Sequence, residues 1–394
     1  MFGYVEFLVN ILIVSDVYFP RVNGVSTSIE TFRQELLDRG VRVSVIAPAY
    51  GIAQNGAGIT RIPSRSVLFD PEDRMMRYGC IIKHIDHLKK QAFDLVHIQT
   101  PFVAHYAGTA IAKKLKRPSV VTYHTFFEEY LYHYVPFIPR RWMQGLARRF
   151  SRQQCNAVDA VIVPSTAMEE RLRTYGVHRP IHRIPTGIPP AQFVPGNRAA
   201  FRAQHGIAED QPTLLYLGRV AFEKNLEFLL RATDLARRDV PSLLLIIAGE
   251  GPAEKALHQL TKELGLEKHV KFIGYLNRTS TLLDCYSAAD AFVFASRTET
   301  QGLVLLEAMA LGVPVVSTAV MGTRDILADQ CGALVAPEDT DGFADAMVRI
   351  LTNDALRARL AESAPQCAQA WASGTMAEKL LDLYKNLTHN HGPS

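Results

Sequence analysis

Short runs of Val, Ile and Leu recur along the chain, and each leads into a stretch whose apolar residues repeat at helical spacing. The first run, "ILIVSD" (11–16), precedes an amphipathic pattern near 24–39 that stops at Gly40. "RVSVIAP" follows, then "DLVHIQ" (94–99), "PSVVTYH" (118–124) and "AVIVPS" (160–165). Such runs suit strands buried on both faces, and helices between them make the crossovers of a parallel sheet. The rhythm breaks at "RIPTGIPPAQFVPGNRAAF", whose four prolines and two glycines predict an interdomain linker. A second series then begins with "TLLYLGRV" (213–220). It continues through "SLLLIIAGEG" (242–251), "VKFIGYL" (270–276), "AFVFAS" (291–296), "VPVVST" (313–318) and "GALVAP" (332–337).

The pattern predicts two doubly wound, Rossmann-like α/β domains of similar size, 1–190 and 191–371. A last helix near 372–388 is expected to pack back on the first. Ligands of such sheets bind beyond the carboxyl ends of the strands, so two facing domains imply a cleft. A length of 394 residues suits this division, and 48% hydrophobic with 21% charged residues argues against wholesale disorder.

Five cysteines (Cys80, Cys155, Cys285, Cys331, Cys367) without a CxxC pair read as reduced thiols, not a disulfide frame or zinc site. The opening "MFGYVEFLVNILIVSD" carries Glu6 and no basic leader, so a signal peptide is not expected. No apolar run reaches the ~20 residues of a spanning helix. Charge is divided unevenly. Residues 1–190 hold 24 basic and 15 acidic side chains, a net +9, while the remainder is −5. The first half is therefore expected to face something anionic.

Two stretches carry candidate chemistry. "LGRVAFEKN" (217–225) leaves a strand with Gly218 and Arg219, then offers Lys224 as a helix starts. Arginine presents a planar fork to phosphate oxygens and lysine a mobile point charge. "SRTETQGLVLLEAMALGVP" (296–314) places Glu299 in a loop and Glu307 inside the following helix. A carboxylate can accept paired hydrogen bonds from vicinal hydroxyls. A helix start near Gly302 offers free backbone N–H groups to an anion. Sugar hydroxyls plus a diphosphate describe a nucleotide sugar.

"GRVAFEKN" followed by the E-x7-E of "TETQGLVLLEAMA" resembles the large retaining glycosyltransferase family with the GT-B fold (family 4, group 1). "VSDVYFPRVNGVSTSI", "HIQTPF", "TYHTFFEEYLYHY", "VIVPSTAMEERL", "IPTGI" and "AGEGP" extend the likeness over nearly the whole chain. Within the family the chain looks most like bacterial diacylglycerol glucosyltransferases. The resemblance implies that Arg219 and Lys224 grip the donor diphosphate beside Gly218, and that Glu307 holds the ribose. Glu299 would touch the transferred sugar, helped by backbone N–H groups at Gln301, Gly302 and Leu303. Gly24 would belong to a glycine loop near the phosphates, although Asn23 stands where many relatives have a second glycine. Asp16 would border the acceptor, and His124 would reach the transferred sugar from a strand end.

A carboxylate nucleophile for double displacement does not stand out. The family's retention of configuration thus implies front-face attack, with the donor's phosphate taking the acceptor proton and Arg219 and Lys224 stabilising the leaving charge. The motif "DTD" (339–341) lies in a late turn, so neither metal nor other cofactor is expected.

From Leu131 to Val158 there is no acidic residue, but five arginines fall there, Arg148, Arg149 and Arg152 among them. Trp142, Leu146 and Phe150 recur at four-residue spacing. A basic amphipathic helix with aromatic neighbours can lie in an anionic bilayer interface; equally, its apolar residues can pack inward while the arginines are solvated. No nucleic-acid module is visible. "AGEGPAEKA" lacks the third glycine of a dinucleotide fingerprint, and "HIDH" (84–87) and "HNH" (389–391) read as a solvated helix face and a loose tail.

The expected activity is transfer of a hexose, best UDP-glucose, to a lipid such as diacylglycerol at the cytoplasmic face of the plasma membrane. The alternatives are a soluble, polyprenyl-linked or lipopolysaccharide acceptor, with GDP-mannose as another donor. A sugar-nucleotide epimerase and a non-catalytic binding module are the rivals from other classes.

Overall fold

The computed structural model describes residues 9–51, 56–67, 70–124, 140–189, 191, 193–277 and 281–391. The chain divides into two compact units, Met1–Gly187 with Ser373–Ser394, and Ile188–Ala372. The junction therefore falls inside the proline-rich segment, and the final helix belongs to the first unit.

Unit 1 is built on strands β1 (Asn10–Val14), β2 (Arg42–Pro48), β3 (Ile59–Ile62), β6 (Leu95–Ile98), β7 (Ser119–Thr122), β8 (Ala160–Val163) and β9 (Ile181–Arg183). They form one parallel sheet in the order β3-β2-β1-β6-β7-β8-β9. A small antiparallel pair, β4 (Ser64–Val67) and β5 (Asp70–Met76), stands apart from it. Strand order reverses between β1 and β6, where Val14 pairs with both Ile46 and Ile98. Every residue of β1, β6 and β8 is buried, which is why these strands read as largely apolar runs, interrupted in β6 by His97. Strands β3 to β5 and β9 escaped the sequence reading because each is short or mixed in polarity.

Helix Gly24–Asp38 starts where Asn23 accepts from the Ser26 backbone N–H while Ser26 Oγ receives the Asn23 N–H. Its buried face is Ile29, Phe32 and Leu36. The last helix, Ser373–Asn390, adds Met376, Ala377, Leu380, Leu383 and Tyr384 to the same core. Ser373 Oγ donates to Glu35, and Arg39 Nη2 donates to Gly374 O at 3.2 Å, fixing the start of that helix against the first one.

Unit 2 carries a six-stranded parallel sheet ordered β12-β11-β10-β13-β14-β15. Its strands are β10 (Thr213–Leu217), β11 (Leu244–Ala248), β12 (Val270–Gly274), β13 (Ala291–Phe294), β14 (Val315–Ser317) and β15 (Ala333–Val335). The reversal lies between β10 and β13, with Leu214 opposite Ala291 and Leu215 opposite Phe292. Buried Arg202 completes the base of this unit, donating to the carbonyls of Ala208, Gln211 and Ala288 and pairing with Asp290.

One expectation is corrected. Cys331 and Cys367, read as free thiols, are joined as a disulfide with a Cα–Cα separation of 6.0 Å. They lie 36 residues apart, and only the close approach of helix Asp354–Gln369, at Ala364, to the Gly332 turn brings them together. Cys155 and Cys285 are buried thiols, and Cys80 is half-buried.

Candidate functional site

In unit 2 the phosphate and sugar candidates collect at the switch point between β10 and β13, the place where doubly wound sheets bind ligands. Gly218 follows β10 with φ +152°, and exposed Arg219 comes next. A Cβ on Gly249 would sit 1.9 Å from Gly218 O, and one on Gly251 would sit 2.3 Å from Val220 O. The glycines of "AGEGP" thus let the β11 loop close on the Arg219 loop, a backbone role instead of dinucleotide recognition. Tyr216 Oη donates to Arg219 O at 3.0 Å from beneath.

The chain then makes a 3-10 turn, Phe222–Lys224, closed by Asn225 in the left-handed region. Asn225 Nδ2 donates to Ala295 O at 3.1 Å, so the β10 loop is tied to the end of β13. That tie sets Lys224 Nζ against the Glu299 carboxylate as an ion pair, with both side chains about one-fifth exposed. A diphosphate entering here would meet a lysine already held at the loop.

Gly302, with φ +97°, turns the chain into helix Leu303–Ala310. Leu305 N donates back to Gly302 O at 3.0 Å, and the N–H groups ahead of it have no partners within the helix, as at any helix start. Gln301 is buried. Glu307 is also buried, at 3% exposure, and accepts from Tyr286 Oη at 2.9 Å. Tyr286 was not singled out in the sequence, because it sits in an ordinary amphipathic helix with no motif around it. A second omission is the loop after β14. Ala319 and Met321 both hold positive φ, and Gly322 N donates to Glu299 O at 2.9 Å. A Cβ on Gly322 would lie 2.1 Å from Thr300 O. This loop clamps the Glu299–Gly302 turn. The glycine in "AVMGT" just past a strand was the available signal.

In unit 1 the candidates sit at the corresponding switch point. Asp16 follows β1 and is only 2% exposed. Its Oδ2 accepts from Thr100 Oγ1 at 3.0 Å and from Ala104 N at 2.8 Å. Burial raises its pKa to about 6, against those hydrogen bonds. Asp16, expected beside an acceptor, holds the β6 loop onto the start of helix Val103–Leu115 through this one oxygen. Gly24 is exposed at the first position of its helix, with open space around it, and Asn23 is that helix's cap. His124 ends the β7 segment, partly buried, with Nε2 2.7 Å from Gln99 Oε1.

Helix Arg140–Asn156 buries Met143, Ala147, Ser151, Gln154 and Cys155. It is pinned by Tyr123 Oη to Ser151 Oγ at 2.7 Å and by Gln154 Nε2 donating to Pro101 O at 2.5 Å. Trp142 is left 74% exposed and Leu146 58%, while Phe150 is half-buried. The inward-packing alternative therefore fails for the first two. Arg148, Arg149 and Arg152 are exposed on the same helix, with the Arg148 guanidinium 5.8 Å from the Tyr175 ring centre. Arg149, Arg152, Gln153 and Asn156 line a shallow recess of about 360 Å³. The aromatic segment expected before this helix, within 125–139, lies outside the described residues.

The remaining motifs take structural roles. Asp339 of "DTD" caps helix Thr340–Thr352 by accepting from Gly342 N at 2.7 Å. His84 and His87 lie on an exposed helix face, bonded to Cys80 O and Gln91.

Unit 1 also carries an acid sensitivity. Burial lowers His97 to about 3, and His105 and His124 to about 4. Below pH 6.5 the unfolded chain takes up three protons that the fold refuses, so stability falls with pH. Asp16 opposes this by one proton between about pH 6 and 4, because its folded pKa is raised. Two net protons cost roughly 3 kcal/mol per pH unit at the steepest. Urea midpoints at pH 7 and pH 5 should differ clearly, and equal midpoints would contradict the burial of these rings.

The family described as Glycosyl transferases group 1 matches residues 197–366, and Glycosyltransferase Family 4 matches residues 22–192. An alpha-monoglucosyldiacylglycerol synthase of Streptococcus pneumoniae is 34% identical over 331 residues, covering 81% of this chain and 74% of that protein. A GDP-mannose-dependent alpha-mannosyltransferase of Mycolicibacterium smegmatis is 29% identical, over 87% of this chain and 88% of its own. Among solved structures, a sucrose-phosphate synthase of Thermosynechococcus elongatus superposes with a TM-score of 0.79 at 22% identity. It covers 97% of this chain and 100% of that one. The fold is GT-B.

Proposed function

We propose, from the premise that the chain belongs to the group 1 and family 4 glycosyltransferases, that it moves a hexose from UDP-glucose to diacylglycerol or a related lipid, with an α-glycosidic product. The observation that carries the donor half is the meeting of Arg219, the Lys224–Glu299 pair and the Gly302 helix start at one switch point. The cations would receive the diphosphate, and Lys224 would exchange part of its bond to Glu299 for a phosphate oxygen. Glu299 is then released toward a sugar hydroxyl. Glu307, braced by Tyr286, would hold the ribose. His124, in unit 1, would take a hydroxyl of the transferred sugar.

The reaction proposed is front-face transfer without a metal. The charge developing on the leaving diphosphate is met by Arg219 and Lys224, and a donor phosphate oxygen accepts the acceptor's proton. No helix among the described residues is long and apolar enough to cross a membrane. The proposed attachment to an anionic membrane surface, on the cytoplasmic face, uses the outward Trp142 and Leu146 with Arg148, Arg149 and Arg152.

A turnover screen of UDP-glucose, UDP-galactose, UDP-glucuronic acid and GDP-mannose with diacylglycerol in anionic vesicles tests this. Glucolipid from UDP-glucose alone is the expected result. The mannosyltransferase relative favours a second reading, in which GDP-mannose is the donor. Mannolipid, or donor hydrolysis without glycolipid, would overturn the first reading on its donor or its acceptor respectively.

A further inference from the structure

A continuous line of polar contacts runs through unit 1 from the last helix to His124. Tyr384 Oη lies 2.5 Å from His97 Nδ1, and His97 Nε2 lies 2.6 Å from Thr122 Oγ1. Gln99 Nε2 is 3.2 and 3.1 Å from the two ring nitrogens of His97. Gln99 Oε1 then meets His124 Nε2 at 2.7 Å. Tyr384, His97 and Gln99 are all at least 95% buried. Parallel pairing of β6 with β7 puts His97 opposite Val120, and so brings Gln99 and His124 to neighbouring strand ends.

The protons along this line follow from what each group can donate. His97 and His124 are neutral at pH 7, since burial holds both well below the usual histidine range. A neutral ring has one donor nitrogen and one acceptor. Both edge nitrogens of His97 are taken by hydroxyls, with the buried Tyr384 remaining a protonated donor. The Gln99 amide nitrogen lies near-equidistant from both, against the ring, a placement that suits N–H and repels a carbonyl lone pair. The amide oxygen must then face His124, and an oxygen there requires a hydrogen on Nε2.

We infer that Gln99, oriented by His97 and Tyr384, is a positioning residue that locks His124 in the Nε2–H tautomer and leaves Nδ1 as an acceptor for a hydroxyl of the transferred sugar. This rests on the glycosyltransferase reading for the role of His124, but the tautomer itself does not. The last helix thereby acts on the site as well as on the core, through Tyr384.

The test uses the full chain. Nitrogen-15 NMR of the histidine rings, with His124→Asn to assign the resonance, should show one Nε2–H tautomer for His124. Gln99→Met keeps the side-chain length and removes the acceptor. It should yield mixed tautomers and lower kcat about 10-fold, with KM for the donor little changed. Donor hydrolysis without acceptor should fall equally. Gln99→Glu restores an acceptor and should recover the Nε2–H signal, which a merely structural role would not predict. Tyr384→Phe, which loses only the hydroxyl, should weaken the tautomer preference. An Nδ1–H tautomer in the unaltered protein, or one unmoved by Gln99→Met, overturns the inference. Loss of transfer with intact donor hydrolysis overturns the assignment to the sugar hydroxyl. If the tautomer behaves as stated but His124→Asn turns over normally, the glycosyltransferase role of His124 has failed and the tautomer lock has not.

Discussion

Replacing Lys224 with alanine is expected to lower turnover about 10²- to 10³-fold while leaving the fold intact. The loss is that of one preorganised charge facing a developing oxyanion, worth about 3–4 kcal/mol. Stability should hardly move. The Lys224–Glu299 pair is partly solvated, and exposed pairs contribute only about 0–1 kcal/mol. Arg219→Ala should also cost orders of magnitude in turnover, because it removes a second charge facing the leaving diphosphate, and should spare stability, because exposed Arg219 supports nothing in the core. The check is kcat for transfer and the urea midpoint, measured on the same preparations. Near-normal turnover in either variant would remove that residue from the site.

The second large effect concerns the surface of unit 1. Changing Arg148, Arg149 and Arg152 together to Glu should abolish binding to anionic vesicles and spare donor hydrolysis. Each basic side chain near an anionic surface contributes about 1 kcal/mol. Removing three attractions and adding three repulsions therefore exceeds a 100-fold change in partitioning. The helix should survive, since its packed face is Met143, Ala147 and Cys155, and none of these arginines is in it. Cosedimentation with vesicles at low and physiological salt measures the effect. Unchanged binding would overturn the proposed membrane role of this basic helix.

Much of the candidate site's placement in the fold was legible because its signals are local. Gly218, Arg219 and Lys224 follow one strand, and Gly302 opens one helix, so the reading needs only strand ends and helix starts. The same holds for both sheets, whose buried strands are rich in β-branched and aliphatic residues. Asp16 shows the limit. Its place after β1 was correctly read, but its commitment to Thr100 and Ala104 depends on residues 84 and 88 positions away.

The sequence by itself determined the two-unit division, the buried strands of both sheets with the helices between them, and which strand ends and helix start carry the candidate cations and carboxylates. These follow from periodicity and turn chemistry, which act over a few residues. Tertiary structure alone decided which groups touch. It paired Lys224 with Glu299, set Tyr286 on Glu307, closed the Gly322 loop over Thr300, and joined Cys331 to Cys367. It also turned Trp142 and Leu146 outward and brought Tyr384 to His97 across 287 residues. The physical reason is that parallel strands must be joined by long crossovers, so neighbours at their carboxyl ends are remote in sequence. Their side-chain contacts are therefore set by sheet order and register, which no local pattern encodes.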